Sequence, residues 1–196
     1  MPADRGGTPA EDAEHALVRR ALAGESRAFQ ILFERHAPRV WRFLRDLLRD
    51  EAAADEATQE TFVRAHAKLA SLREGQRVVS WLLGIARHVF LESWRERREQ
   101  VDVEAEESEA LVEAVLPTPS PEQLLLDRET EALLNEALGH VREDRRAALL
   151  LRIDHGLPYE DIAQVMGWSL AKVKNELHRA RLQLRERLAP HVGGRP

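Results

Sequence analysis

The sequence predicts an all-α protein: two small helical domains joined by an acidic, proline-containing linker, the second domain carrying a helix-turn-helix. Three observations carry that expectation. Every long segment outside the middle of the chain repeats apolar residues at three- and four-residue steps, and none alternates as a half-buried strand would. The charge is sharply divided: ten acids face a single base (Arg128) over residues 99–130, while residues 1–98 and 131–196 each carry net +2. Finally, Pro117, Pro119 and Pro121 fall at alternate positions, a spacing that forbids continuous helix and favours extended backbone.

The elements follow in order. The start, MPADRGGTPAED, has no apolar core of a signal peptide, and residues 1–12 are expected to be disordered. The first domain is expected over 13–98. Its first helix is expected at Ala13–Ala23. A second stretch places Phe29, Leu32, Phe33, Val40, Phe43, Leu44, Leu47 and Leu48 on one face, with Pro38 expected to kink or divide it. The third, Glu51–Leu69, aligns Ala54, Ala57, Thr61, Phe62, Ala65 and Leu69; the fourth, Gln76–Arg98, aligns Val79, Leu82, Leu83, Ala86, Val89 and Phe90. The linker is expected at 99–121. The second domain, 122–189, opens with a leucine-rich helix from Pro121 to Leu138. A helix at Asp144–Ile153 follows, broken by Gly156, and then a short one at Pro158–Met166, ended by Gly167. Ser169 is placed to cap the last helix, which is expected to stop before Pro190 and leave 190–196 frayed.

Composition excludes several functions. With no Cys among 196 residues, disulfides, thiolate metal sites and cysteine nucleophiles are ruled out. The longest nearly apolar run, Val78–Ala86, is far below the ~20 residues that cross a bilayer, so no membrane insertion is expected and the cytoplasm is the default location. The eight histidines (15, 36, 66, 88, 140, 155, 178 and 191) never form a metal-spaced pair on an expected helix. No phosphate-cradling glycine loop or nucleophile elbow is present, so no catalysis, metal or cofactor is expected.

The strongest motif lies at Tyr159–Leu177. Two short helices that cross steeply need a small residue at their contact, supplied by Ala163. Their turn needs a residue tolerant of positive φ, supplied by Gly167, and an apolar residue must return from the second helix, supplied by Val173. Ile162, Val165, Met166, Leu170 and Leu177 are expected to complete that core. This is the layout of a DNA-binding helix-turn-helix. The second helix carries Lys172, Lys174, Arg179, Arg181, Arg185 and Arg187 against Glu176 and Glu186, net +4 in an acidic protein. Leu170, Ala171, Lys172, Asn175 and Arg179 are expected to face the groove, with Lys172 and Asn175 reading base edges and Arg179 and Arg181 holding phosphate.

The first domain carries two surfaces of opposite character. Along Trp81–Arg98, Arg87, His88, Arg95, Arg97 and Arg98 accompany Phe90 and Trp94, the mixture that single-stranded DNA requires, since rings stack on bases and cations follow the backbone. Trp81 and Phe90 read as core. By contrast, Asp55, Glu56, Gln59 and Glu60 form an acidic helical face, backed by Phe62, that suits a basic protein rather than nucleic acid.

These blocks together (QETF, RAHAKL, SWLLGIARHVFLESWRERR and, beyond the linker, YEDIAQVMGWSLAKVKNELHRAR) resemble a bacterial extracytoplasmic-function sigma factor over about residues 15–188. The resemblance implies binding to RNA polymerase core and promoter DNA, and control by an anti-sigma factor in many members. By that likeness Asp55, Glu56, Gln59, Glu60 and Phe62 contact the polymerase clamp. Arg87, His88, Trp94, Arg95, Arg97 and Arg98, with the preceding Leu72–Ser80 loop, meet the minus-ten element. Ser169, Lys172, Lys174, Asn175, His178, Arg179 and Arg181 meet the minus-thirty-five element, and the linker threads toward the active-site channel. The chain departs from the family pattern in three places. Ala57 and Thr58 replace a leucine and a valine, which is expected to weaken apolar clamp contact; Ala171–Glu176 differs in the recognition helix, which is expected to change base preference; and Val141–Arg142 replaces Leu-Pro. The competing reading is a stand-alone helix-turn-helix regulator with a helical sensing domain.

Overall fold

The computed structural model describes residues 9–101 and 137–192, with side chains described for 9–95 and 137–189. The linker and the expected Pro121–Leu138 helix lie outside these residues, except that 137–139 are helical. No strand occurs among the described residues.

Helix α1 runs Pro9–Leu22, so helix begins inside the stretch expected to be disordered. Pro9 at its first position gives up only an N–H that would lack a helical partner. Glu11 and Asp12 in the first turn and Arg19 and Arg20 in the last complement the helix dipole. Helix α2, Ser26–Leu48, passes through Pro38 without a break, contrary to the expected division. Burial on both sides of the proline outweighs the lost bond: Leu32 precedes it, and Val40, Phe43, Leu44 and Leu47 follow, all buried. Arg49 ends α2 in the left-handed region at φ 57°. Helix α3, Glu51–Ala67, starts from Asp50, whose carboxylate accepts the Ala53 N–H at 3.1 Å. A 3-10 turn at Leu69–Ser71 leads to α4, Val78–Val101.

Beyond the undescribed segment come α5, Glu143–Ile153, α6, Tyr159–Met166, and α7, Leu170–Val192. Pro190 lies within α7 rather than ending it. The carbonyl it leaves without a helical partner belongs to Glu186, an exposed residue, so the lost bond is not buried.

Phe43, Leu44, Leu83 and Phe90 fill the centre of the first lobe, and Leu149, Leu151, Leu157, Ile162 and Leu177 that of the second. The two centres merge into one continuous apolar core, because α6 lies on α4 and α5 lies on α2. Each lobe lends the other an arginine at this seam. Arg146 of α5 donates to the Leu47 carbonyl at 3.0 Å, one of the last carbonyls of α2, which have no helical N–H to accept. Arg39 of α2 donates to the His155 carbonyl in the turn that closes α5, and to His155 Nδ1 at 3.3 Å. Two acids of the second lobe complete the seam: Asp161 accepts from the Ser80 hydroxyl at 2.8 Å and lies 3.6 Å from Arg77, and Asp144 pairs with Arg87 at 2.7 Å.

Candidate nucleic-acid interface

The turn between α6 and α7 is built as its residues require. Gly167 sits at φ 65°, and Trp168 N–H returns to the Ala163 carbonyl at 2.9 Å. Ile162, Val165, Met166, Val173 and Leu177 are buried between the helices. Leu170 is not: it is 43% exposed, against the expectation that it completes this core. It opens α7 before the helix reaches its contact with α6, just after Ser169, whose hydroxyl accepts the Lys172 N–H at 3.2 Å.

From that start α7 presents a row of exposed side chains at helical spacing: Leu170, Ala171, Lys174, Asn175, His178 and Arg181. Lys172 is exposed too, but its ammonium lies 4.6 Å from the centre of the Trp168 ring, a cation–π contact that draws it off this row. Glu176 turns the other way. Its carboxylate meets Arg145 of α5 at 2.5 Å and Arg179 at 3.2 Å, and the Arg145 bond holds its pKa below the usual carboxylate value. The departure at Glu176 therefore ties α7 to α5. The Val141–Arg142 departure is likewise structural: Val141 is buried, and Arg142 precedes α5.

On α4 the expected minus-ten residues divide. His88 and Arg95 are exposed, the imidazole Nδ1 lying 2.7 Å from the Gly84 carbonyl. Arg87 is 11% exposed and bound to Asp144 across the seam. Trp94 is half-buried against the core, and Phe90 is buried. Trp81 is half-buried, with its indole N–H donating to Ser71 at 3.3 Å. Arg97 and Arg98 continue α4, with side chains outside those described.

The acidic face of α3 is partly engaged. Asp55 accepts from the Trp41 indole at 2.7 Å, Glu60 pairs with Arg64 at 2.6 Å, and Arg64 also reaches Glu92 of α4 at 2.5 Å. Glu56 and Gln59 stand exposed. Phe62 is buried, its ring edge-on to Phe33 at 4.7 Å. Beside this face an open apolar groove is lined by Phe29, Phe33, Gln59, Phe62, Val63 and His66. Phe33 (39% exposed), expected on the apolar face of α2, and Val63 (64% exposed), which the sequence reading did not single out, extend the face. The available signal was Val63 itself, a bulky apolar residue off the apolar stripe of its helix. Ala57 and Thr58 are buried, and the Thr58 hydroxyl bonds the Ala54 carbonyl at 2.7 Å. The departure there alters packing inside the lobe, not the outer face as expected.

Among the described residues no group of three or more His, Asp or Glu is placed to hold a metal ion, and no helix is long and apolar enough to cross a membrane.

A model of sigma-70 region 2 matches residues 32–100, and one of sigma-70 region 4 matches residues 131–184. The RNA polymerase sigma-H factor of Pseudomonas aeruginosa is 31% identical over 185 residues, covering 92% of this chain and 96% of the relative. The ECF RNA polymerase sigma factor SigE of Mycolicibacterium smegmatis is 36% identical over 160 residues, covering 82% of this chain and 61% of the relative. Among solved structures, the sigma factor RpoE in complex with the anti-sigma factor NepR from Bartonella quintana is 26% identical with a TM-score of 0.65, over 82% of this chain and 96% of that one. CnrH in complex with the cytosolic domain of CnrY is alike in fold, with a TM-score of 0.67 at 24% identity, over 91% of this chain and 99% of that one.

Proposed function

Because this chain belongs to the extracytoplasmic-function sigma factors of the sigma-70 family, which direct RNA polymerase to promoters, we propose how its surfaces divide that work. The outer face of α3 (Glu56, Gln59 and Val63, with Asp55, Glu60 and Phe62 behind) docks on the clamp of the core enzyme. The exposed side of α4 meets the minus-ten element with His88, Trp94, Arg95, Arg97 and Arg98, joined by Arg87 once Asp144 releases it. The row on α7 enters the major groove of the minus-thirty-five element, where Ser169, Lys174, Asn175 and His178 approach bases while Lys172, Arg179 and Arg181 serve phosphates. The protein works by binding alone, without a catalytic step, in the cytoplasm. Residues 13–98 and 122–189 act as the two DNA-reading domains, and 99–121 tethers them.

The observation that carries this division is the separation of opposite surfaces. An acidic row with an apolar groove beside it lies on the first lobe, and a capped, cationic recognition helix lies on the second. The two promoter elements are centred about 25 base pairs apart, roughly 85 Å of duplex at 3.4 Å per step. Lobes in contact through α4 and α6 do not span that distance, so the two readers separate on the enzyme. Segment 102–136 is long enough to permit it, with a maximum reach of roughly 120 Å. An anti-sigma factor is the proposed negative partner, supported by the likeness to RpoE bound to NepR.

Core binding is tested with Glu56→Lys/Glu60→Lys. The double variant should lose affinity for core polymerase and core-dependent transcription while keeping its helical content. A well-folded double variant with unchanged core affinity would sink the α3 assignment. Tight promoter-specific binding by the chain without core would favour the stand-alone regulator.

A further inference from the structure

We propose that Leu170, with Ala171 beside it, reads the 5-methyl group of a thymine in the minus-thirty-five element; the inference rests on the groove-facing role of α7 given above. Leu170 is a large apolar side chain, 43% exposed, at the first position of α7. Burial would stabilise it, yet the second lobe closes its core without it through Val173 and Leu177. It shares its exposed row with Lys174, one turn along, and Ala171 shares it with Asn175 and His178. The row therefore has an apolar head and a polar, cationic body.

The neighbouring contacts shape that head. Trp168 draws the Lys172 ammonium aside, and Glu176 is held against Arg145, so neither charge covers Leu170. Ser169 closes the helix start by accepting the Lys172 N–H, which fixes the direction in which Leu170 and Ala171 project. The N-terminal residues of a recognition helix are those that reach base edges. In the major groove the one apolar feature of a base edge is the thymine methyl, and small or branched apolar side chains recognise it. A protein surface as occupant fits less well, because the row is continuous with Lys174 and Arg181 on a helix of net +4, the complement of a polyanion.

The test uses the full chain assembled with core polymerase. A randomised minus-thirty-five region is first selected for holoenzyme binding. Each thymine of the selected element is then replaced by deoxyuridine, which removes the methyl and nothing else. One position should lose about fourfold in affinity, the factor that corresponds to burial of a single methyl group at ~0.8 kcal/mol. Leu170→Ala, a change at an exposed site, should lose most of the discrimination between thymine and deoxyuridine at that position, with Ala171 keeping the remainder, and Leu170→Met should restore the preference. The inference is overturned if no thymine is sensitive, if the selected element has none, or if Leu170→Ala stays as sensitive as the natural chain. It is overturned in favour of a protein contact if Leu170→Ala lowers affinity for core in the absence of DNA. If the holoenzyme selects no minus-thirty-five sequence at all, the groove-facing role of α7 falls with it, so the two failures are distinct.

Discussion

His155 shows how one side chain ties packing to pH. It is 5% exposed, its ring stands edge-on to Phe43 at 5.6 Å, and Arg39 donates to its Nδ1, which must therefore be the unprotonated nitrogen. Burial, with Arg39 and Arg42 nearby, pushes its pKa down to about 4 from 6.5. The folded form thus holds the neutral ring, while the unfolded chain binds a proton below pH ~6.5. Stability is complete above about pH 6.5 and falls as pH drops toward 4, by at most roughly 3 kcal/mol. Urea melts across that window should show the slope, and His155→Asn should flatten it. In the role proposed for α7 its residues divide by target. Asn175→Ala should cost ~1–3 kcal/mol of promoter affinity and relax one base position, whereas Arg181→Ala should weaken all sequences alike and reduce the salt slope by about one. Binding titrations on promoter variants at several salt concentrations would separate the two.

At the scale of elements, the turn between α6 and α7 depends on one glycine. A Cβ on Gly167 would meet nothing within 4 Å, so substitution there is a matter of backbone alone. Gly167→Ala should destabilise the chain by about 1–2 kcal/mol through its positive φ, and Gly167→Asn by less. Thermal melts would rank the three proteins. That turn, the helical periods and the acidic row of α3 were all legible in the sequence, because each is a local pattern of residue types. The prolines misled, since Pro38 and Pro190 are helix breakers by local rule and tertiary burial or solvent overrode them. Leu170 fits two expectations in sequence, the core of the turn by its period and the groove-facing set by its place at the helix start, and only its exposure in the structure decides against the core. The seam was illegible. Arg39 and His155, or Ser80 and Asp161, stand far apart along the chain, and an arginine bound to a carbonyl looks like any surface arginine in sequence.

For the whole molecule, the seam decides how close the two surfaces proposed to read DNA lie. Two of its contacts are ionic, and reversing Asp144 and Asp161 to Lys sets each against Arg87 or Arg77. Closure should weaken by an amount on the order of 2 kcal/mol. Small-angle scattering should show an expanded chain with native helical content, and affinity of the isolated protein for promoter DNA should rise. An unchanged radius with unchanged DNA affinity would mean that these pairs do not hold the lobes. The exchanged arginines have a different character. Both guanidinium groups are held below their ordinary pKa mainly by burial, and they face main-chain oxygens instead of carboxylates. A carbonyl belongs to the backbone and survives any replacement of the side chain that bears it. Whatever amino acid drift installs at positions 47 or 155, the oxygen stays, and only the Arg39 bond to His155 Nδ1 goes with the ring. The inheritance of this clasp is therefore lopsided: alleles that remove its donors must arise at the codons for Arg39 and Arg146.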